Sequence, residues 1–190
     1  DRSPSRGLGD VYKRQVCNHQ YIFPLFDYQS SSGRALLHYV KKYRDPKVSQ
    51  YIAQTMYENI QEYLAEQQQF SFFLEPYIVP VPKTKKQKNL RGFNQVNDIA
   101  RSFTQYTNGI YQKNLVTKNR ETQKQALISK KSERFTNVKN CFSITDPEIF
   151  KHKDVIVIDD LITTGATIQS LEQTLHAAGA RNVIALTIGH

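Results

Sequence analysis

One stretch constrains the fold more than any other: Val155-Ile156-Val157-Ile158, followed at once by Asp159 and Asp160. Four β-branched residues without polar alternation predict a strand buried on both faces, the pattern of a parallel sheet covered by helices. Beyond the acids stand Thr163, Thr164, Gly165 and Thr167. Ile168, Leu171, Leu175 and Ala178 then recur at helical spacing, and Gly179 supplies a stop. A strand that passes through a polar turn into a helix gathers amide N–H groups and the positive end of a helix dipole at one point, where phosphate binds. The paired acids call for a further partner. Adjacent carboxylates at the end of a buried strand repel each other and lose hydration, which suits ribose hydroxyls or a divalent cation. Together the two features describe a site for a 5-phosphoribosyl group. A plain βα turn with an acidic cap needs one acid and no threonine cluster.

At this point the chain resembles a known family. Ile156 to Thr167 is similar to the phosphoribosyl pyrophosphate (PRPP) motif of type I phosphoribosyltransferases. The resemblance implies an α/β fold of that type, a mainly parallel central sheet flanked by helices. It implies that Ile162, Thr163, Thr164, Gly165, Ala166 and Thr167 hold the 5-phosphate through amides and hydroxyls. Asp159 and Asp160 would meet the ribose hydroxyls, directly or through Mg²⁺ brought with the ligand. Lys83 would meet the pyrophosphate and completes the expected catalytic set with the two acids. Displacement at the anomeric carbon would pass through an oxocarbenium-like state. No general base stands out, since His38, His152, His176 and His190 lie in no motif.

A second resemblance is narrower. Val79-Pro80-Val81-Pro82 and then Arg91-Gly92-Phe93-Asn94-Gln95 are similar to the signature of the ComF family, the competence-associated branch of phosphoribosyltransferase-like proteins. Arg120, Thr122, Gln123, Gln125, Leu127, Arg134, Asn137 and Phe142 resemble that family's central stretch, so the likeness runs from about residue 26 to 190. That family usually starts with a zinc ribbon on two Cys-x-x-Cys pairs. Here Cys17 and His19 stand ahead of the core, too few for a closed four-ligand site. The expectation is therefore a ribbon lost by truncation and no zinc. Cys141, on an expected strand, reads as a buried apolar residue.

The chain carries a net charge of +9, which implies anionic partners. The charge is uneven: residues 83–91 hold five Lys/Arg and residues 113–139 hold eight, together 13 of 26. Lys85, Lys86, Lys88, Arg91 and Arg120 are the expected contacts to pyrophosphate or nucleic acid. Loops at the carboxyl ends of strands surround the ligand site in open α/β sheets. The same loops suit single-stranded DNA, with Phe93 and Phe135 nearby as stacking surfaces. Two readings follow: an enzyme transferring a phosphoribosyl group from PRPP to an unknown acceptor, or a phosphoribosyl-binding fold serving DNA uptake, with single-stranded DNA and a DNA-uptake helicase as partners. A nucleotide-salvage enzyme is a third, without a recognisable base-specificity element.

Residues 1–15 have no helical or strand period and read as a non-native or disordered tail, or as a native basic arm. Residues 16–74 read as an N-terminal remnant and helical segment packed on the core, and residues 75–190 as the phosphoribosyltransferase-like core. Within the first, aromatics from Tyr21 to Tyr28 suggest an edge strand, Ser30 to Gly33 a turn, and Arg34 to Tyr43 a helix. Asp45-Pro46 starts a long helix with Val48, Ile52, Met56, Ile60 and Leu64 on one stripe. Tyr77 to Pro82 is the next strand, and Asn94 caps a helix with Val96, Ile99, Ala100 and Phe103 inward. Leu115-Val116 and Cys141 to Ile144 are short strands, Ser132 to Asn137 one helical turn, Asp146-Pro147 a turn, and Val183 to Ile188 closes the sheet. No run of 18 apolar residues occurs, so no membrane insertion is expected. Two cysteines and no signal peptide make the cytoplasm the expected compartment.

Overall fold

The computed structural model describes residues 22–66, 73–84, 93–119 and 141–190. Strands β1 (Ile22–Phe26), β2 (Tyr77–Pro80), β3 (Ile110–Tyr111), β6 (Asp154–Leu161) and β7 (Asn182–Gly189) form one sheet, in the order β1-β7-β6-β2-β3. Every neighbouring pair runs parallel. Strands β4 (Val116–Lys118) and β5 (Phe142–Ile144) pair antiparallel as a separate ribbon. The expected mainly parallel sheet flanked by helices is therefore the fold observed.

The β-branched run sits where its composition requires. β6 is the middle strand, flanked by β7 and β2, and residues Asp154 to Asp160 are all buried. Helices α1 (Ser31–Lys42), α2 (Pro46–Glu66) and α3 (Gln95–Phe103) cover one face of the sheet, packing Leu37, Ile52, Met56, Ile99 and Phe103 against Ile78, Ile156, Ile158 and Leu186. Helix α4 (Ala166–Ala177) and the ribbon cover the other, where Ile168, Leu171, Leu175, Val116 and Phe142 meet Val79, Val155, Val157 and Ala185. Alternate residues of β6 thus feed two cores, which is why its sequence shows no polar alternation.

Local chemistry sets most helix ends. Asp45 Oδ1 accepts from the amides of Lys47 and Val48 at 2.9 and 3.3 Å, with Pro46 at the first helical position of α2. Asn94 caps α3 through its side chain, accepting from the Val96 amide. Gly179 ends the α4 region with φ +88°, a conformation side chains resist.

Several expectations change. Ser30 to Gly33 is not a turn between elements but the cap and first turn of α1: Ser30 Oγ accepts from the Gly33 amide at 3.0 Å. A Cβ on Gly33 would stand 2.4 Å from the Asp27 carbonyl, so the glycine serves a close approach rather than a bend. Asp146-Pro147 opens a 3-10 turn, Pro147–Phe150, that buries Phe150. β7 does not close the sheet. It lies between β6 and β1, and the aromatic strand β1 forms that edge. β3 has no counterpart in the sequence reading, because two residues carry no period and only pairing with β2 defines them. The expected turn at Ser132 to Asn137 lies outside the described residues. Among those described, no helix is long and apolar enough to cross a membrane.

Candidate functional site

β6 does not stop before its acids. It continues through Asp159 and Asp160 to Leu161, and Asp159 stays in register with Thr187 of β7. Successive strand residues point to opposite faces. Asp159 therefore shares a face with Val157, toward α4, and Asp160 shares a face with Ile158, toward α1 and α3. Both acids are only 6% exposed.

Lys83 joins the two faces. It follows the two residues after β2, where the parallel neighbour strand ends level with the acids. Its Nζ donates to Asp160 Oδ1 at 3.0 Å and to Asp159 Oδ1 at 3.4 Å. Asp160 collects further partners. Gln95 Nε2 donates to its Oδ2 at 2.9 Å, Lys41 Nζ stands 3.9 Å from the same oxygen, and the Leu161 amide donates to its Oδ1. Asp159 receives the Asp160 amide at 2.9 Å.

This asymmetry separates the two carboxyls. Burial pushes Asp159 up to about 6, with repulsion from Asp160 adding to it and Lys83 only partly opposing. Burial acts on Asp160 as well, but Lys83 and Lys41 together outweigh it and hold that carboxyl below its usual value. Burial lowers the Lys83 ammonium, and the two carboxylates more than reverse this, so it stays charged. Asp160 is a fixed anion, and Asp159 titrates near neutrality.

A stability prediction follows from the sign of the Asp159 shift. Its folded carboxyl binds a proton more tightly than the unfolded one, at about 6 against 3.8. Its contribution is therefore fully present below about pH 4 and is lost as the pH rises through about 6. Asp159→Asn should remove that loss, on the order of 3 kcal/mol. Thermal melts should show the variant more stable than the parent at pH 7 and indistinguishable at pH 4. An equal difference at both pH values would contradict it.

The turn expected to hold phosphate lies between β6 and α4. Gly165 precedes α4 with φ +73°. Thr163 and Thr164 are exposed, Thr167 is half-buried, and Ala166 is buried in the first turn of the helix. One expected donor is spent: the Ile162 amide donates to the Gly189 carbonyl at 2.9 Å, prolonging the ladder with β7. The amides left for an anion begin at Thr163. Thr187, the register partner of Asp159, is fully buried, and its Oγ1 has no hydrogen-bond partner among the described residues. Buried hydroxyls left unpaired are uncommon in folded proteins.

Lys85, Lys86, Lys88, Arg91 and Arg120 lie outside the described residues, as do Cys17 and His19. Cys141 is fully buried, as expected of an apolar-like residue. Two site residues went unnoticed in the sequence. Gln95 had a signal, as the last member of the Arg-Gly-Phe-Asn-Gln block. Lys41 had none, since a lysine near the end of an amphipathic helix reads as solvated. Among the described residues no cluster of three or more His, Cys, Asp or Glu could hold a metal ion by itself. Lys83 and Gln95 already occupy much of the carboxylate lone-pair space.

Curated relatives match part of the chain. The chain is 30% identical over 106 residues to the DNA utilization protein YhgH of Escherichia coli, covering 56% of this chain and 45% of that protein. It is 29% identical over 107 residues to Competence protein F of Haemophilus influenzae, covering 56% and 46%. With the YhgH protein of Salmonella typhimurium it shares 27% over 148 residues, covering 78% and 63%. The chain thus spans about half the length of the first two. No family model matches it. Among solved structures it is similar to the hypoxanthine phosphoribosyl transferase of Trypanosoma cruzi, at 9% identity and TM-score 0.45, over 75% of this chain and 64% of that one. It is also similar to the allosteric regulatory enzyme of purine biosynthesis, at 20% identity and TM-score 0.40, over 60% and 22%. The ComF-type resemblance carried by its motifs is borne out at the level of these relatives: the chain is similar to the DNA-utilization and competence F proteins.

Proposed function

We propose that the chain binds PRPP or another 5-phosphoribosyl ligand, together with Mg²⁺, at the centre formed by Asp159, Asp160 and Lys83, and that it serves DNA uptake in the cytoplasm. The observation that carries the ligand is one cation spanning two buried acids beside a left-handed glycine that opens a helix. A pyrophosphate would compete for Lys83. The ribose hydroxyls would donate to the carboxylates that Lys83 releases, and the 5-phosphate would take the amides from Thr163 to Ala166. Mg²⁺, bound through the ligand, would neutralise the pyrophosphate charge. The names of the relatives support the DNA role, with single-stranded DNA and a DNA-uptake helicase as its partners. Titration calorimetry with PRPP and Mg²⁺ tests the ligand, and absence of heat with either PRPP or ribose 5-phosphate would reject it.

A second reading is an active phosphoribosyltransferase. Burial and the Asp160 charge raise the Asp159 carboxyl, which suits a group that takes up a proton, and Lys83 bridges it to Asp160. Release of pyrophosphate from PRPP in the presence of candidate acceptors would support turnover.

The cradle has its own test. Gly165→Val forces a β-branched side chain into the left-handed region, costing about 1–3 kcal/mol of stability. It also puts bulk where phosphate must approach the backbone. PRPP affinity should fall at least tenfold, roughly 1.4 kcal/mol, in a chain that still melts cooperatively. Thr164→Val, which keeps the backbone, should lose much less.

A further inference from the structure

The outer side of α3 carries a second concavity, of about 330 Å³, between that helix, edge strand β3 and the α1–α2 connection. Three cations line it: Arg44, Arg101 and Lys113, against one acid, Asp98. Asp98 is already spent, since Arg44 donates to both its oxygens at 2.9 and 3.1 Å. Arg101 lies over the Tyr111 ring, 5.7 Å from its centroid, rather than against a carboxylate. Arg101 and Lys113 are both exposed, so the groove presents uncompensated positive charge among the described residues.

The groove is not only basic. Phe93 and Tyr111 contribute half-buried aromatic rings, and Asn94 and Asn97 contribute amides. Rings and guanidinium planes accept unstacked bases, side-chain amides pair with base edges, and exposed cations track phosphates. A duplex hides its base faces and would use only the charge. An acidic peptide would use the charge and leave the rings idle. The volume is that of a small-molecule pocket, enough for a nucleotide unit. The groove also abuts the carboxylate centre, because Asn94 on its wall is followed directly by Gln95, which donates to Asp160.

We infer that this groove is a binding track for single-stranded nucleic acid, with a base held against Phe93 or the Arg101–Tyr111 stack and the backbone along Arg101 and Lys113. The inference rests on the DNA half of the proposed function and is independent of the phosphoribosyl half. It places strand contacts on the face of the fold itself, at Phe93, Arg101, Tyr111 and Lys113.

The test is fluorescence anisotropy of the full chain with a labelled oligothymidylate across a salt series, with PRPP calorimetry on the same samples. The parent should bind single strand with steep salt dependence and bind a matched duplex more weakly. Arg101→Gln with Lys113→Gln should flatten the slope by about 0.7 per cation lost. Tyr111→Leu keeps apolar bulk and removes the ring. It should weaken binding roughly five- to a hundredfold with the slope unchanged. Lys151→Gln, an exposed cation on the 3-10 turn that leads into β6, should match the parent. Single-strand binding that the groove variants leave intact would overturn the track while keeping a DNA role. No single-strand binding at low salt, or equal duplex binding, would overturn the track as well, the former together with the DNA role. Loss of PRPP binding in the parent alone would leave the inference standing.

Discussion

Replacing both acids, Asp159→Asn with Asp160→Asn, should abolish measurable PRPP binding while the chain remains folded. Each carboxylate would accept at least one charge-assisted hydrogen bond from the ribose or from Mg²⁺-bound water, worth about 1.5–3 kcal/mol. Two such losses come to about 3–6 kcal/mol, more than a hundredfold in affinity. The fold should survive at a cost in stability: Lys83 loses both counter-charges, but asparagine keeps the shape and its carbonyl can still accept from Lys83, Gln95 and the local amides. Calorimetry checks the affinity and a thermal melt checks the fold. Binding of the double variant within tenfold of the parent would place the ligand elsewhere.

Lys83→Met should have the largest effect on stability. It leaves two carboxylates, each 6% exposed, with Lys41 at 3.9 Å from one of them as the nearest described cation. Removing one partner of a buried ionic cluster costs about 3–5 kcal/mol, since the remaining charge is neither hydrated nor paired. For a chain of this length that corresponds to a fall in melting temperature of roughly 10 °C at neutral pH. Adding Asp159→Asn should restore most of it, because the second charge is then gone. Lowering the pH should do the same in the single variant by protonating Asp159, whose carboxyl rises further once Lys83 no longer lowers it. A melting temperature that does not change at pH 7 would show that Lys83 is not the counter-charge the geometry makes it.

Much of the site was legible in the sequence, and for local reasons. A four-residue β-branched run with an acid pair, a threonine cluster, a glycine and a helical stripe are all neighbours in the chain. Strand, turn and helix follow from propensity, period and the left-handed preference of glycine. The Asp45, Asn94 and Gly179 helix ends were readable for the same reason. Elements set by pairing rather than pattern were not. β3 exists only through its ladder with β2, and the Ser30 to Gly33 turn became a helix start because the Gly33 backbone packs within reach of the Asp27 carbonyl.

What the sequence determined by itself is therefore the polar, glycine-bearing turn, the strand before it and the presence of two acids at its end. The tertiary structure alone decided how those acids differ. Gln95 and Lys83 reach Asp160 across 65 and 77 residues of chain, and Lys41 arrives from a helix on one face of the sheet only. Side chains alternate across a strand, so Asp160 turns toward that face and gathers two cations, while Asp159 turns away and shares one. The separation of the two carboxyls, with one anion held and one titrating near neutrality, is a property of packing between distant segments, where no local pattern in the chain can record it.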